Sequence, residues 1–302
     1  LRVVVLGYHD VGCACLEVLL EERHDVAAVF THEDDPGEER WFGSVEDLAR
    51  RRGIPVHLPR RINERRWIDT IRSLAPDAIL SCYYRRLVCG AITGLARRAA
   101  LNVHGSLLPR YRGRCPLNWV LANGETETGV TLHHMTDRPD AGDVVAQRAI
   151  AITPEDTAPT LHRKIVAASR DLLRATLPDL ERGDLRGVPQ DEARATCHGP
   201  RRPGDGRIDW TRPATEIHNL VRAVTRPWPG AFTHLDGHKL YVWRSAPEPT
   251  RHDAPAGTFF PDGKPRVVTG GGCLRLLECQ LEGEAPIPGE ALAARFARGT
   301  AA

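Results

Sequence analysis

Short β-branched apolar runs alternate with helical stretches of about ten residues through the first hundred positions, and this alternation constrains the fold more than any other feature. Arg2-Val3-Val4-Val5-Leu6-Gly7 reads as a strand ending at glycine, with a helix over residues 12–22 behind it. Residues 26–31 form a second strand. Ser44 is placed to cap a helix running through Arg52, and Asp47 stands where a capping box has its acid. Residues 55–58, a helix near 63–74 and a strand over 77–82 continue the pattern, and a helix near 91–98 leads into the strand 101–104. Strands and helices in that order predict an α/β fold with a parallel sheet flanked by helices. Such sheets bind ligands beyond the carboxyl ends of their strands.

A loop rich in Gly, Pro and Arg follows at residues 109–116, then a helix over 117–123 and a strand over 130–135. Residues 157–180 predict a long helix with Leu161, Ile165, Leu172 and Leu173 on its apolar stripe. Residues 183–206 lack periodicity and read as connecting chain. Beyond them come a helix over 215–224 and short strands at 239–243, 266–268 and 273–279, separated by Pro/Gly turns. The division expected is a catalytic domain over 1–186, a linker over 187–206 and a small β-rich domain over 207–302.

With 41 basic against 39 acidic residues the net charge is +2, so nothing draws the chain generally to nucleic acid or an anionic membrane. No apolar run of about 18 residues is present, and the opening residues read as a strand rather than a signal peptide. Eight cysteines occur without a CxxC pair, several inside apolar runs, which predicts reduced core thiols of a cytoplasmic protein. No metal is assigned. The chain opens on Leu1 rather than Met, so its start is expected to be trimmed or replaced. Gly7-Tyr8-His9-Asp10-Val11-Gly12 lacks the GxGxxG spacing that admits a dinucleotide pyrophosphate.

The chemistry concentrates at Asn102-Val103-His104, with Asp140 36 residues after His104 in Asp137-Arg138-Pro139-Asp140-Ala141-Gly142-Asp143. Residues two apart on a strand share a face, so Asn102 and His104 project together at the strand's end. Acyl transfer to an amine needs an oxyanion donor and a proton carrier. An Asn NH2 suits the first, histidine suits the second, and an aspartate orients the ring and favours its charged form. Each residue alone has an ordinary structural explanation. His133 and His134 are adjacent on a strand and point to opposite faces, so they cannot both line one site.

Asn102-Val103-His104-Gly105-Ser106-Leu107-Leu108-Pro109, with Arg112-Gly113 and Asp140-Ala141-Gly142-Asp143, resembles the 10-formyltetrahydrofolate-dependent formyltransferases. The resemblance extends through Gly7-Tyr8-His9-Asp10, Phe30-Thr31-His32, Asp35-Pro36-Gly37-Glu38, Tyr83-Tyr84-Arg85, residues 116–121 and residues 123–133. It continues in Asp209-Trp210, His218-Asn219 and Trp228-Pro229-Gly230-Ala231-Phe232, and so covers nearly the whole chain. These segments are most similar to the branch that formylates UDP-4-amino-4-deoxy-L-arabinose in the lipid A modification behind polymyxin resistance.

The resemblance implies a Rossmann-like catalytic domain followed by a small open-barrel, OB-like domain. It implies Asn102, His104 and Asp140 as the catalytic set. It implies 10-formyltetrahydrofolate as co-substrate, its pterin end on the backbone of Arg86, Leu87 and Val88. Arg114 and the loop Thr136, Asp137, Arg138, Pro139 and Asp140 would complete that site. Arg86 stands where the branch carries histidine, a change that a backbone contact tolerates. The implied acceptor is a small sugar nucleotide; tRNA is disfavoured because residues 33–39 are acidic where the tRNA enzyme is basic. Arg201, Arg202 and Arg207 offer charge for a diphosphate. In this branch a decarboxylase accompanies the transferase, and nothing in the chain resembles one, so a stand-alone enzyme and an excised domain are both open. Other readings remain: formylation of another amino sugar or a siderophore hydroxylamine, hydrolysis of formyltetrahydrofolate, or a non-catalytic folate- or nucleotide-binding regulator.

Overall fold

A computed structural model describes residues 1–34, 40–250, 252–296 and 299–301. Most of the acidic stretch expected to repel tRNA, residues 35–39, lies outside the described residues. The chain divides into two compact units. One comprises Leu1–Pro116, Glu127–Ala151 and Arg163–His198; the other comprises Leu117–Thr126, Ile152–His162 and Gly199–Ala302.

The first unit opens with β1 (Arg2–Gly7), α1 (His9–Glu21), β2 (Asp25–Phe30), α2 (Val45–Arg51) and β3 (Val56–His57). α3 (Arg65–Leu74), β4 (Ala78–Cys82), the short α4 (Gly90–Thr93) and β5 (Ala99–His104) follow. Next in the chain are β6 (Arg112–Gly113), α5 (Pro116–Ala122), β7 (Glu127–His134), β8 (Val144–Ala151), α6 (Ala158–Arg182) and β9 (Cys197–His198). Seven strands make one sheet in the order β3-β2-β1-β4-β5-β7-β8. The first five run parallel, as the alternation predicts. β7 and β8 extend the sheet antiparallel, so the expected parallel sheet is a mixed one.

β1 is buried on both faces, which explains its unbroken apolar run. Val4 and Leu6 pack with Ala28, Phe30, Ile71 and Ile79 in one core layer, partly covered by Trp67 and Ile68 of α3. Each large side chain so buried stabilises the sheet by about 1.5–3 kcal/mol. Ser44 caps α2 by accepting from the Asp47 N–H at 3.1 Å. The Asp47 carboxylate pairs with Arg40 at 3.4 Å. α4 is half the expected length, and its last hydrogen bond runs from the Gly94 N–H to the Gly90 carbonyl at 2.9 Å. Four cysteines, Cys15, Cys82, Cys273 and Cys279, are buried as expected, whereas Cys197 is exposed.

In the second unit α7 (Ala214–Val224) is followed by β10 (Ala231–Leu235), β11 (His238–Glu248), β12 (Thr258–Phe260), β13 (Arg266–Val268), β14 (Cys273–Leu281), β15 (Ile287–Pro288), α8 (Gly289–Ala293) and β16 (Gly299–Thr300). Antiparallel pairing runs β10-β11-β14-β13-β12-β16, and a bridge between Leu235 and Ala301 brings the two ends of that path together. That is the curled, nearly closed sheet of an OB-like barrel. Among the described residues, no helix is long and apolar enough to cross a membrane.

Candidate active site

β5 is where the sheet changes direction: it pairs parallel with β4 and antiparallel with β7. In the second pairing Asn102 lies opposite His133 and His104 opposite Thr131. Partners directly opposite share a face, so the register gathers Asn102 and His133. Asn102 Nδ2 lies 3.0 Å from His133 Nε2. His133 Nδ1 lies 2.8 Å from the His134 carbonyl, which can only accept, so Nδ1 carries the proton and Nε2 accepts from Asn102. Burial, then the nearby His104, push the His133 pKa down to about 4, which keeps this tautomer neutral. A neutral His133 therefore fixes the Asn102 amide as a donor.

His104 is 7% exposed, and its Nε2 donates to the Tyr111 carbonyl at 2.9 Å. Its Nδ1 lies 3.6 Å from Asp140 Oδ1. Asp140 Oδ1 also lies 3.7 Å from His133 Nε2, while Oδ2 accepts the Gly113 N–H at 2.9 Å. Four polar side chains thus converge at the end of β5: the expected Asn102, His104 and Asp140, and His133 besides. His134 follows His133 on β7, where alternation sets it on the opposite face.

The segment after β5 is anchored by Thr131. Its hydroxyl donates to the Ser106 carbonyl at 2.6 Å and accepts the Leu108 N–H at 3.1 Å. Gln147 of β8 adds donations to the Leu108 carbonyl and to Thr131, at 2.8 and 2.9 Å. The Leu108–Pro109 peptide is cis. A Cβ at Gly105 would stand 2.4 Å from the Tyr83 hydroxyl, so glycine is what lets that ring approach the strand end.

Of the residues expected at the co-substrate, Arg86 and Leu87 are exposed and Val88 is buried. Leu87 is 69% exposed, an unusual display for a large apolar side chain. Asn63 holds this loop, donating to the Leu87 carbonyl and accepting the Cys89 N–H, both at 3.0 Å. Asp137 accepts the Gly90 N–H at 3.1 Å, which ties the 136–140 loop to the chain just after Cys89. Thr136 Oγ1 donates to the Arg138 carbonyl at 2.8 Å. Arg138 pairs with Glu192 at 2.9 Å, Pro139 is exposed, and Arg114 is exposed with its backbone N–H on the His198 carbonyl at 2.9 Å. In the second unit Arg201 lies over the Trp119 ring, 4.6 Å from its centroid.

Residues 1–177 match the family described as formyl transferase, and residues 201–297 match its C-terminal domain. The chain belongs to the formyl transferase family. Solved structures of similar fold include the N-formyltransferase from Helicobacter canadensis in complex with folinic acid and dTDP-3-aminofucose. It is 18% identical, with 91% of this chain and 98% of that one covered and a TM-score of 0.71. WlaRD, a sugar 3N-formyltransferase in the presence of dTDP and 5-N-formyl-THF, is 17% identical. There 94% of this chain and 99% of that one are covered, with a TM-score of 0.72. Phosphoribosylglycinamide formyltransferase from Bacillus halodurans is 26% identical over 60% of this chain and 95% of its own, with a TM-score of 0.52. As a family member, the chain carries its four-residue polar cluster inside the segment that the N-terminal family domain matches.

Proposed function

We propose that the chain transfers the formyl group of 10-formyltetrahydrofolate to the primary amine of a nucleotide-linked amino sugar. UDP-4-amino-4-deoxy-L-arabinose is the acceptor favoured by the sequence resemblance. The observation that carries the reading is the cluster of Asn102, His104, His133 and Asp140 at the carboxyl end of β5, in a chain matched by both domains of the family. The likeness to sugar N-formyltransferases solved with folate derivatives supports the donor and a sugar-nucleotide acceptor. Those structures carry dTDP or a dTDP-linked sugar, so a dTDP-linked 3-amino sugar is the second acceptor reading.

The residues fit a folate donor. The loop 86–88, pinned by Asn63 with Leu87 held out in solvent, offers an apolar edge and backbone polar groups to a flat heteroaromatic ring. Arg114 and residues 136–140 are assigned to the same site. The donor supplies an activated formyl carbonyl, and the chain does the rest. Asn102, oriented by neutral His133, donates to the carbonyl oxygen as the amine attacks, where one such donor contributes about 3–4 kcal/mol. His104 Nδ1 takes the proton from the attacking nitrogen and delivers it to the leaving nitrogen. The Asp140 carboxylate, 3.6 Å away, stabilises the charge His104 holds meanwhile. Catalysis is assigned to residues 1–186, and the β-rich domain is placed at 207–302.

Incubation with 10-formyltetrahydrofolate and each amino-sugar nucleotide in turn, read by product mass, tests the proposal. A gain of one formyl group on the UDP-linked sugar supports the first acceptor. A gain on the dTDP-linked sugar alone replaces it. Formate release without any formylated sugar would overturn amine transfer in favour of hydrolysis.

A further inference from the structure

The stretch between α6 and the second unit, expected as a linker, is tied across its first half into the site. Val188 exchanges two backbone hydrogen bonds with Val144 at the start of β8, both 2.8 Å. Thr196 accepts the Tyr111 N–H on its hydroxyl at 2.8 Å, and Tyr111 supplies the carbonyl that holds His104. β9 pairs with β6, bringing Cys197 opposite Arg112 and His198 opposite Gly113, the residue whose N–H holds Asp140. The His198 ring stacks on Tyr111 at 4.8 Å.

Gln190 occupies the middle of this strap. Its Nε2 donates to the Asp140 carbonyl at 2.9 Å and to the Gly142 carbonyl at 2.7 Å, which uses both amide hydrogens. Its Oε1 accepts from Arg112 Nε at 3.1 Å and Nη2 at 2.7 Å. Arg112 is 5% exposed and is held in turn by Glu192, Nη1 to Oε2 at 3.1 Å and Nη2 to Oε1 at 2.8 Å. The Asp140 loop needs an external hold. Asp140 sits at φ +53°, a left-handed conformation costing about 1–2 kcal/mol in a non-glycine residue. Gly142 is wedged where a Cβ would stand 1.9 Å from the His134 carbonyl. Without Gln190 the carbonyls on either side of Ala141 lose these donors, and a part-buried backbone carbonyl is costly to leave unpaired.

We infer that Gln190 is a positioning residue for catalysis: backed by the buried Arg112, itself paired with the exposed Glu192, its amide holds the Asp140 loop so that the carboxylate faces His104. The inference rests on the transfer mechanism above. It makes residues 187–198 part of the catalytic machinery.

Two variants and two readouts test it. Gln190→Met keeps the side chain's length and removes both donors; Gln190→Glu keeps an acceptor for Arg112 and also removes both donors. Hydrogen–deuterium exchange of peptides spanning 136–145 should quicken about tenfold or more in both variants, with β1, β4 and β5 peptides unchanged. Turnover number should fall about 10–100-fold, the scale of a displacement near 1 Å, while KM for the formyl donor stays within about threefold. Wild-type exchange in this loop, or loosened exchange with wild-type turnover, would overturn the assignment. So would wild-type turnover in the Glu variant alone, because the acceptor to Arg112 would then be what matters. Absence of transfer by the wild-type enzyme would instead defeat the reading of function, and the exchange measurement would still show whether Gln190 holds the loop.

Discussion

In the proposed mechanism His104 and Asn102 divide the chemistry at the site, and each makes a separate prediction. Replacing His104 by alanine removes the proton carrier, so turnover should fall by about 10²–10⁴. Folate binding, measured by fluorescence titration, should persist, because the residues assigned to the donor are Arg114 and those of the 86–88 and 136–140 loops. Asn102→Ala should cost about 10²–10³ in turnover through the lost oxyanion donor. His133 was the residue hardest to assign from the sequence. Alternation showed that only one of His133 and His134 could face the site, but choosing between them required the β5–β7 register, which no local pattern encodes. The register selects His133 by setting it opposite Asn102. Its suppressed pKa, with that of His32, has a measurable consequence. Burial, then Arg86 and Arg85, hold His32 at about 4, and burial, then His104, hold His133 at about 4. Both rings stay neutral in the folded protein while the unfolded chain takes up protons below its ordinary value of 6.5. Stability contributed by both rings is therefore full above pH 6.5 and lost as pH falls toward 4. Denaturant midpoints recorded across that window should drop; a flat profile would contradict the assignment.

At the level of elements, the parallel half of the sheet was legible because β1, β2, β4 and β5 are buried and their residues are apolar nearly throughout. β8 was not. It forms the far edge of the sheet with Gln147 and Arg148 exposed and only Ile150 buried, so it carries no alternating pattern to read. The short β6 and β9 escaped for a different reason: two residues have no periodicity, and their pairing joins residues 85 positions apart. Gly113 of β6 is the tightest joint of that pairing. It sits at φ +96°, and a Cβ there would stand 2.3 Å from the His198 carbonyl, a backbone atom that cannot step aside. Gly113→Ala should therefore destabilise the fold by about 2–4 kcal/mol in chemical denaturation. Turnover should drop with it, because the Gly113 N–H holds Asp140 Oδ2. An alanine variant of wild-type stability and activity would show that β6 and β9 do not support the site.

For the whole molecule, the motif at residues 102–109 and the acid at 140 already pointed to the formyltransferases in the sequence, and the matches over residues 1–177 and 201–297 show that family. The acceptor was less legible. Acceptor specificity depends on which side chains converge around a sugar nucleotide, and the arginines singled out for a diphosphate have no motif to fix their partners; Arg201 is found over Trp119. The contacts of the connecting chain were hidden for a related reason: they lie in side-chain reach, Gln190 to Asp140 and Thr196 to Tyr111, not in periodicity. The measurement closest to the central claim is tetrahydrofolate release from 10-formyltetrahydrofolate in the presence of UDP-4-amino-4-deoxy-L-arabinose, with wild-type and His104→Ala enzymes compared at equal donor binding. The expected result is amine-dependent release accompanied by formylated sugar in the wild type, and a loss of about 10²–10⁴ in the variant. Equal rates in the two enzymes would contradict it.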